Sequence, residues 1–365
     1  MATMRQVAER ANVSIATVSF VVNDTKPVSP ETRDRILTAM AELGYRRNVV
    51  ARALASRRTR IIALLVPALD RRLGTTAMDI VKGAATAAHK RGYDVVLWPV
   101  GTDVEHMSEL IAGGLVDGVL LMEVRVDDPR VERLTASKAT FAMIGRTRNP
   151  DGLPFVDMDF ERTVENALDY LTGLGHTRIA LMTEQLEGTA LSGYGPVVRT
   201  TTSFHLGMSK RGLVPVSLTC ERTPRGGRAA AAELLQAAPE TTAIMVMNDT
   251  AAFGVVSGLT HAGRQIPDDV SILSIATSAE MAAMSDPVLS TMNAPGEELG
   301  RLGADALIDQ LEGRAATLPQ VLLPCPLEVA ESTGPPRPGR RGPLRQDQRP
   351  RPTPLFPGVT ANRPG

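Results

Sequence analysis

The hydrophobic period of the chain changes near residue 60. Up to Leu43, the residues Val7, Ala8, Val13, Val18, Val21, Ile36, Met40 and Leu43 recur at helical spacing and read as the core of one small helical module. From Ile61 onward the pattern becomes short apolar runs: "IIALLV" (61–66), "YDVVLW" (93–98), "DGVLLM" (117–122), "ATFAMI" (139–144), "RIALM" (178–182), "TAIMVM" (242–247) and "VSILSI" (270–275). These have the length of buried strands. Helical stretches separate them, the first near 76–91, and several stop at a glycine, as in "KRGYDVV", "GLGHTRIAL", "SKRGL" and "HAGRQIPDDVSIL". Alternating strand and helix predicts parallel sheets with right-handed crossovers. Six or more such units in about 270 residues fit two doubly wound lobes better than a barrel, which needs eight units closing in a ring.

The local signals of the head are specific. Thr3 and Gln6 form a capping box for a helix running to about Ala11, and Asn12 tolerates the left-handed turn that follows. Ser14 caps a second helix over 15–22. Ser29-Pro30-Glu31 opens a third, which ends at Leu43 with Gly44 as its C′ residue. Two short helices joined by a tight turn predict a helix-turn-helix, whose second helix enters the DNA major groove; many helical hairpins share this pattern, and a plain helical cap is the alternative. On the second helix, Thr17, Val18, Val21 and Val22 gather on one side. Ala16 lies opposite them, with Phe20 about 40° away. Phe20 therefore has two readings. With Ile15 and Ala16 it forms an apolar edge that touches thymine methyl groups, or its ring folds over the rim of the small core or against the hinge.

Charge favours the nucleic-acid reading. Net charge is zero over 365 residues, but residues 1–60 carry +6, residues 61–333 carry −12 and residues 334–365 carry +6. A basic head on an acidic body fits a polyanion partner for the head. In "RRNVVARALASRRTR", six arginines interleave with Val49, Val50, Ala53 and Leu54. This stretch predicts one or two turns of helix from Asn48 to Ala55 that fold on DNA, with Leu54 as a minor-groove wedge; the alternative is a solvated linker. The tail is rich in proline and arginine, reads as disordered, and is expected to add at most nonspecific phosphate affinity. The resulting boundaries are a DNA-binding head at 1–47, a hinge at 48–60, a two-lobed α/β core at 61–333 and a tail at 334–365.

The order of "VAxxAxVSxATVS", "VSxETRxRI", "AxxELGYRxN" and "ARALAS" between Ala2 and Pro67 resembles the N-terminus of the lactose-repressor (LacI) family of bacterial transcription regulators. The resemblance implies a homodimeric repressor on a near-palindromic double-stranded DNA operator. It places Thr3, Ser14, Ile15, Ala16, Thr17, Phe20, Asn23, Arg47, Asn48, Arg52 and Leu54 in the DNA-facing set. Asn12 stands where the family usually has Gly, Arg47 where it has Pro, and Phe20 where it often has Arg. The last departure removes a guanine contact worth about 1–3 kcal/mol of discrimination and implies A·T pairs at that half-site step.

Residues 145–160, 170–182, 241–273 and 286–313 resemble the effector-binding core of the same family, which has a periplasmic-binding-protein-like fold. The resemblance implies a small-molecule effector, a sugar, between the lobes at the carboxyl ends of strands. Effector binding would change the angle between the lobes and so the spacing of the two hinges. Asn248, Asp249 and Arg199 are the favoured contacts, with Arg146 next and Glu123, Asp159 and Asp70 behind. The competing reading of each is a cap or a salt bridge. Ala276-Thr277 stands where the family often has paired aspartates, and "GTTA" (74–77) lacks the family's aromatic rings.

Other functions find little support. No GxGxxG, P-loop, GxSxG or metal-spaced histidine cluster is present, so neither an enzyme nor a cofactor is expected. No apolar run approaches the roughly 18 residues of a membrane span, and "MATMRQVAER" has no apolar signal region, which predicts a cytoplasmic protein. A free solute-binding protein would fit the body alone but leaves the basic head unexplained. Cys220 and Cys325 lie far apart in sequence, and a single disulfide stays open.

Overall fold

The computed structural model describes residues 2–23, 26–45, 58–66, 73–99, 107, 111 and 113–337, with Asn23 given as backbone only. The head is three helices, α1 (Met4–Ala11), α2 (Ile15–Asn23) and α3 (Pro30–Glu42). The Gln6 amide donates to Thr3 Oγ1 at 3.3 Å and the Thr3 amide to Gln6 Oε1 at 2.8 Å, which closes the capping box. Asn12 takes φ 51°, and the Thr17 amide donates to Ser14 Oγ at 3.1 Å. At the end of α3, Tyr45 N donates to Met40 O and Gly44 N to Ala41 O, with Gly44 at φ 60°, a Schellman motif.

Val7, Ala8, Ala11, Val18, Val21, Val22, Ile36 and Ala39 form the buried core of the head, with Val13, Met40 and Tyr45 packed against it. Leu43, assigned to this core by its spacing, is instead 37% exposed. It is the C-cap of α3, and the Schellman turn brings Tyr45 back over the core in its place.

Beyond the head, the described residues form two compact units. The first is drawn from 58–66, 81–156 and 297–321, the second from 73–80, 157–296 and 322–337. The strands are β1 (Ile61–Val66), β2 (Asp94–Pro99), β3 (Gly118–Leu121), β4 (Phe141–Ile144), β5 (Phe155–Met158), β6 (Ile179–Glu184), β7 (Val216–Cys220), β8 (Ala243–Met247), β9 (Ser271–Thr277), β10 (Ser290–Asn293), β11 (Gln320–Leu323) and β12 (Leu327–Glu328). The helices are α4 (Thr75–Lys90), α5 (Pro129–Ala136), α6 (Phe160–Gly173), α7 (Gly195–Lys210), α8 (Pro224–Ala237), α9 (Asp249–His261), α10 (Ala279–Ala282) and α11 (Gly296–Leu311). They give two open six-stranded sheets, ordered β11-β5-β4-β3-β1-β2 and β12-β10-β9-β8-β6-β7. Strands β1–β5 pair in parallel, as do β6–β10, while β12 runs antiparallel to β10.

The strands that hydropathy did not reveal carry polar letters. β10 reads STMN, yet Ser290 and Thr291 are buried. Ser290 Oγ bonds Thr333 Oγ1 at 2.7 Å, and Thr291 Oγ1 donates to Thr277 O at 3.1 Å. These partners let polar side chains lie inside a sheet without an unmet desolvation cost. β7, on an edge, alternates between half-buried and exposed residues.

Ordered chain continues past the expected start of the tail. Gly334 O accepts from His176 Nε2 at 2.9 Å and from Ser271 Oγ at 3.0 Å, and Arg337 pairs with Asp268 and Asp269 at 3.1 and 3.0 Å. Residues 338–365 lie outside the described residues.

His176 is 1% exposed, with Nδ1 at 2.9 Å from Thr242 Oγ1. Burial holds its imidazole below the ordinary value, and the Gly334 carbonyl only partly offsets this. A depressed folded-state value means that the unfolded chain takes up the proton first, so stability falls as pH drops below about 6.5. His176→Gln will flatten that loss. Denaturant midpoints of both proteins between pH 7.5 and 5 check this; parallel curves would refute it.

Candidate nucleic-acid interface and ligand site

The face of α2 away from the head core is apolar at its start. Ile15 is 50% exposed, and Ser14 and Ala16 are exposed beside it. Ser14 Oγ and Thr17 Oγ1 lie 2.8 Å apart, so the cap serine also orients the first-turn threonine. Phe20 belongs to neither extreme. It is half-buried and outside the core cluster, and Lys26 Nζ sits 5.1 Å from its ring centroid. That cation–π contact leaves a basic group beside an apolar edge. Thr3 is exposed and caps α1. The side chain of Asn23, and Arg47, Asn48, Arg52 and Leu54 with the rest of 46–57, lie outside the described residues, as does Asp70.

In the first unit, Glu123 and Arg146 follow β3 and β4 closely, both half-buried. Glu123 has φ 51° and Gly145 φ 112°, so both turns leave their strands through left-handed backbone. A buried ion pair holds the Glu123 turn. Arg130 Nη2 donates to Asp128 Oδ2 at 2.7 Å and to the carbonyls of Met122 and Glu123 at 3.1 Å each.

The second unit gathers the other candidates. Asn248 is buried and caps α9 by accepting from Ala251 N at 3.0 Å, which leaves its amide group 4.0 Å from Cys220 Sγ. Asp249 Oδ1 accepts from Thr250 N at 2.7 Å and from Arg222 Nη2 at 3.3 Å. Arg222 escapes a reading of the sequence because it follows β7, a strand without a clear hydrophobic run. Gly74 approaches the same pair: a Cβ there would lie 2.0 Å from Arg222 Nη2 and 3.0 Å from Asp249 Oδ2. Nearby, Thr76 Oγ1 donates to Ala276 O at 3.3 Å.

Arg199, with a side chain 10% exposed, faces Glu161 Oε1 at 3.8 Å. Asp159 caps α6 by accepting from Arg162 N at 2.9 Å. Ala276 sits at φ 55°, and Thr277 is buried with Oγ1 at 2.6 Å from Ser274 Oγ. The Ala-Thr pair thus offers no carboxylate. The Cys325 thiol is pushed up to about 11 and the Cys220 thiol is also raised, both mainly by burial, so both stay protonated at neutral pH. Both cysteines are free. Among the described residues no group of three or more His, Cys, Asp or Glu is placed to hold a metal ion, and no helix is long and apolar enough to cross a membrane.

Within the second unit, Arg222, Asn248 and Asp249 thus gather polar groups beyond the ends of β7 and β8 and at the N-terminus of α9, the position where open α/β sheets hold ligands. Comparisons with known proteins give matches to two family models. Residues 3–48 match the model described as bacterial regulatory proteins, lacI family, and residues 168–333 match a periplasmic binding protein-like domain. The HTH-type transcriptional regulator CelR of Thermobifida fusca is 32% identical over 343 residues, covering 90% of this chain and 98% of that protein. The ribose operon repressor of Escherichia coli is 30% identical over 324 residues, covering 85% and 93%. Among solved structures, a CelR–cellobiose complex aligns with a TM-score of 0.68 at 29% identity, covering 91% of this chain and all of that one. The lac repressor dimer bound to operator and the anti-inducer ONPF aligns with a TM-score of 0.77 at 25% identity, covering 91% and 99%.

Proposed function

This chain belongs to the lacI family of bacterial regulatory proteins and is a DNA-binding transcriptional regulator; from that premise we propose that it is a sugar-responsive repressor. It binds a near-palindromic operator as a homodimer. Ile15, Ala16 and Phe20 meet base edges, Ser14, Thr17, Thr3 and Asn23 set the helix on the backbone, and Arg47, Asn48, Arg52 and Leu54 engage the minor groove. The observation that carries this reading is the exposed, apolar start of α2 within a chain that aligns with CelR over nearly its whole length. Asn248, Asp249, Arg199 and Arg222 bind the hydroxyl groups of the effector, with Arg146, Glu123, Asp159 and Asp70 as further contacts. The effector alters operator affinity only as far as it binds the DNA-competent and DNA-incompetent states differently.

Selection of duplexes from a random pool by the full-length protein, with and without cellobiose and ribose, tests this. An inverted repeat with A·T pairs at the step facing Phe20 is the expected product, and affinity will fall steeply between 50 and 200 mM salt, by about 10³-fold for six phosphate contacts. Enrichment of no sequence would defeat the reading. A uniform G at the Phe20 step would defeat the role given to that residue.

A further inference from the structure

The chain enters the first unit at residues 58–60, immediately before β1, and one distant carboxylate receives it there. Asp117 lies just before β3, 58 residues along the chain from Thr59. Its Oδ1 accepts from the Thr59 amide at 2.7 Å and from Thr59 Oγ1 at 2.8 Å, and its Oδ2 accepts from the Arg60 amide at 2.9 Å. Two consecutive amides on two oxygens of one rigid group fix the plane and direction of the peptide between them. The Asp117 amide in turn donates to Ile61 O at 2.7 Å, so the grip is reciprocal.

Arg60 completes the arrangement. Its backbone is left-handed at φ 57°, a conformation a non-glycine residue holds only when its surroundings enforce it. Its guanidinium lies 5.2 Å from the centroid of the buried Tyr93 ring, donates to Arg91 O at 3.3 Å and faces Glu312 Oε1 at 3.8 Å. Arg91 bonds Asp309 and Glu312 at 2.8 Å each and Asp305 at 3.4 Å. The start of β1 is therefore tied on one side to Asp117 and on the other to the carboxyl end of α11. All these groups lie within the first unit.

We propose that Asp117 is a positioning residue for operator binding, because its carboxylate grips Thr59 and Arg60 and so fixes the direction in which the DNA-binding segment leaves the core. A dimer that reads two half-sites tolerates one spacing only if each head leaves its core at a fixed angle. Free rotation about residues 58–60 would spread the heads over many spacings and weaken binding at each. This inference rests on the operator-binding reading above, and one of its tests requires no DNA.

Asp117→Asn preserves shape but places an amide group against an N–H donor, and Thr59→Val removes one donor. Three measurements on the full-length protein decide the question: affinity for selected operators with half-sites moved by one base pair either way, affinity for nonspecific duplex, and the rate of tryptic cleavage after Arg60 without DNA. Asp117→Asn will weaken binding at the preferred spacing about tenfold, the loss expected for a charge-assisted hydrogen bond. It will leave nonspecific binding unchanged, flatten the spacing profile and speed cleavage about tenfold, with Thr59→Val moving the same way by about threefold. Wild-type cleavage rates and spacing profiles in both variants overturn the proposal, as does an equal loss on specific and nonspecific duplex. Should Asp117→Asn lower the thermal midpoint appreciably, Thr59→Val alone decides by the same criteria. Wild-type protein that prefers no duplex defeats the operator reading instead, and the cleavage rates by themselves then decide whether Asp117 clamps the chain.

Discussion

Asp128→Ala will destabilise the first unit by about 3–5 kcal/mol, the cost of leaving a buried charge without its partner. The side chains of Asp128 and Arg130 are 0% and 3% exposed. Burial alone would raise the Asp128 carboxyl; the hydrogen bonds and charge of Arg130, aided by the amides of Arg125 and Arg130, outweigh burial and hold it below the ordinary value. Asp128 also caps α5, and Arg130 secures the carbonyls of Met122 and Glu123. The variant therefore loses a cap and a turn as well as a charge.

Because the folded-state value is depressed, the contribution of Asp128 is fully present above the unfolded value of about 3.9 and disappears as pH falls through the folded one. The difference between wild type and variant should accordingly shrink in acid. Asp128→Leu combined with Arg130→Met should recover only the part of the loss that comes from the unpaired charge, because it restores neither the α5 cap nor the bonds to the Met122 and Glu123 carbonyls. Urea unfolding of the single and double variants at pH 7 and pH 3 checks all of this. A single variant within about 1 kcal/mol of wild type would show that the pair contributes no more than a surface bridge.

Gly254→Ala is expected to cost the second unit about 3 kcal/mol and to lower its thermal midpoint by roughly 6–12 °C. α8 and α9 cross with their backbones in direct contact. A Cβ on Gly254 would lie 2.0 Å from Pro224 O, and a Cβ on Gly227 would lie 2.0 Å from Ala251 O. The three atoms nearest the new methyl group at Gly254 all belong to the Pro224 backbone, so moving a side chain cannot relieve the clash and one helix must move. That movement also reaches the candidate ligand site, because Asn248 and Asp249 open α9 and Arg222 lies two residues before α8.

The same substitution elsewhere supplies the contrast. Gly173 closes α6, is exposed, lies outside the left-handed region and has nothing within 4 Å of the point where a methyl group would sit. Gly173→Ala should be neutral or stabilising by about 0.4–1 kcal/mol, through the reduced entropy of the unfolded chain. Equal thermal shifts in the two variants would refute the close-crossing explanation.

The head was legible because its determinants are local. A capping box, an αL asparagine, a proline at N1 and a C′ glycine act within a few residues, and each acts in the structure at its expected place. The seven apolar runs all became strands. For inner strands such as β1, β3, β4 and β8, burial on both faces demands a continuous apolar run, which is visible without knowing the neighbours, while β2 lies on a sheet edge and is only partly covered. Leu43 marks the limit. Helical spacing placed it inward, while the Schellman turn, which reverses the chain at the left-handed Gly44, packs Tyr45 against the core and leaves Leu43 exposed.

The linear order of residues thus determined a helical DNA-reading head, a doubly wound α/β body and the lacI-family pattern that joins them. Only the tertiary structure decided which side chains act together. Arg222 meets Asp249 from a strand end that hydropathy could not mark, Asp117 reaches Thr59 across 58 residues, and Ser290 and Thr291 lie buried because Thr333 and Thr277 come to meet them. Capping and periodicity depend on neighbours that the sequence itself places side by side. A hydrogen bond to a distant carboxylate, or a helix crossing too close for a methyl group, exists only once the chain has folded and brought the two partners within reach.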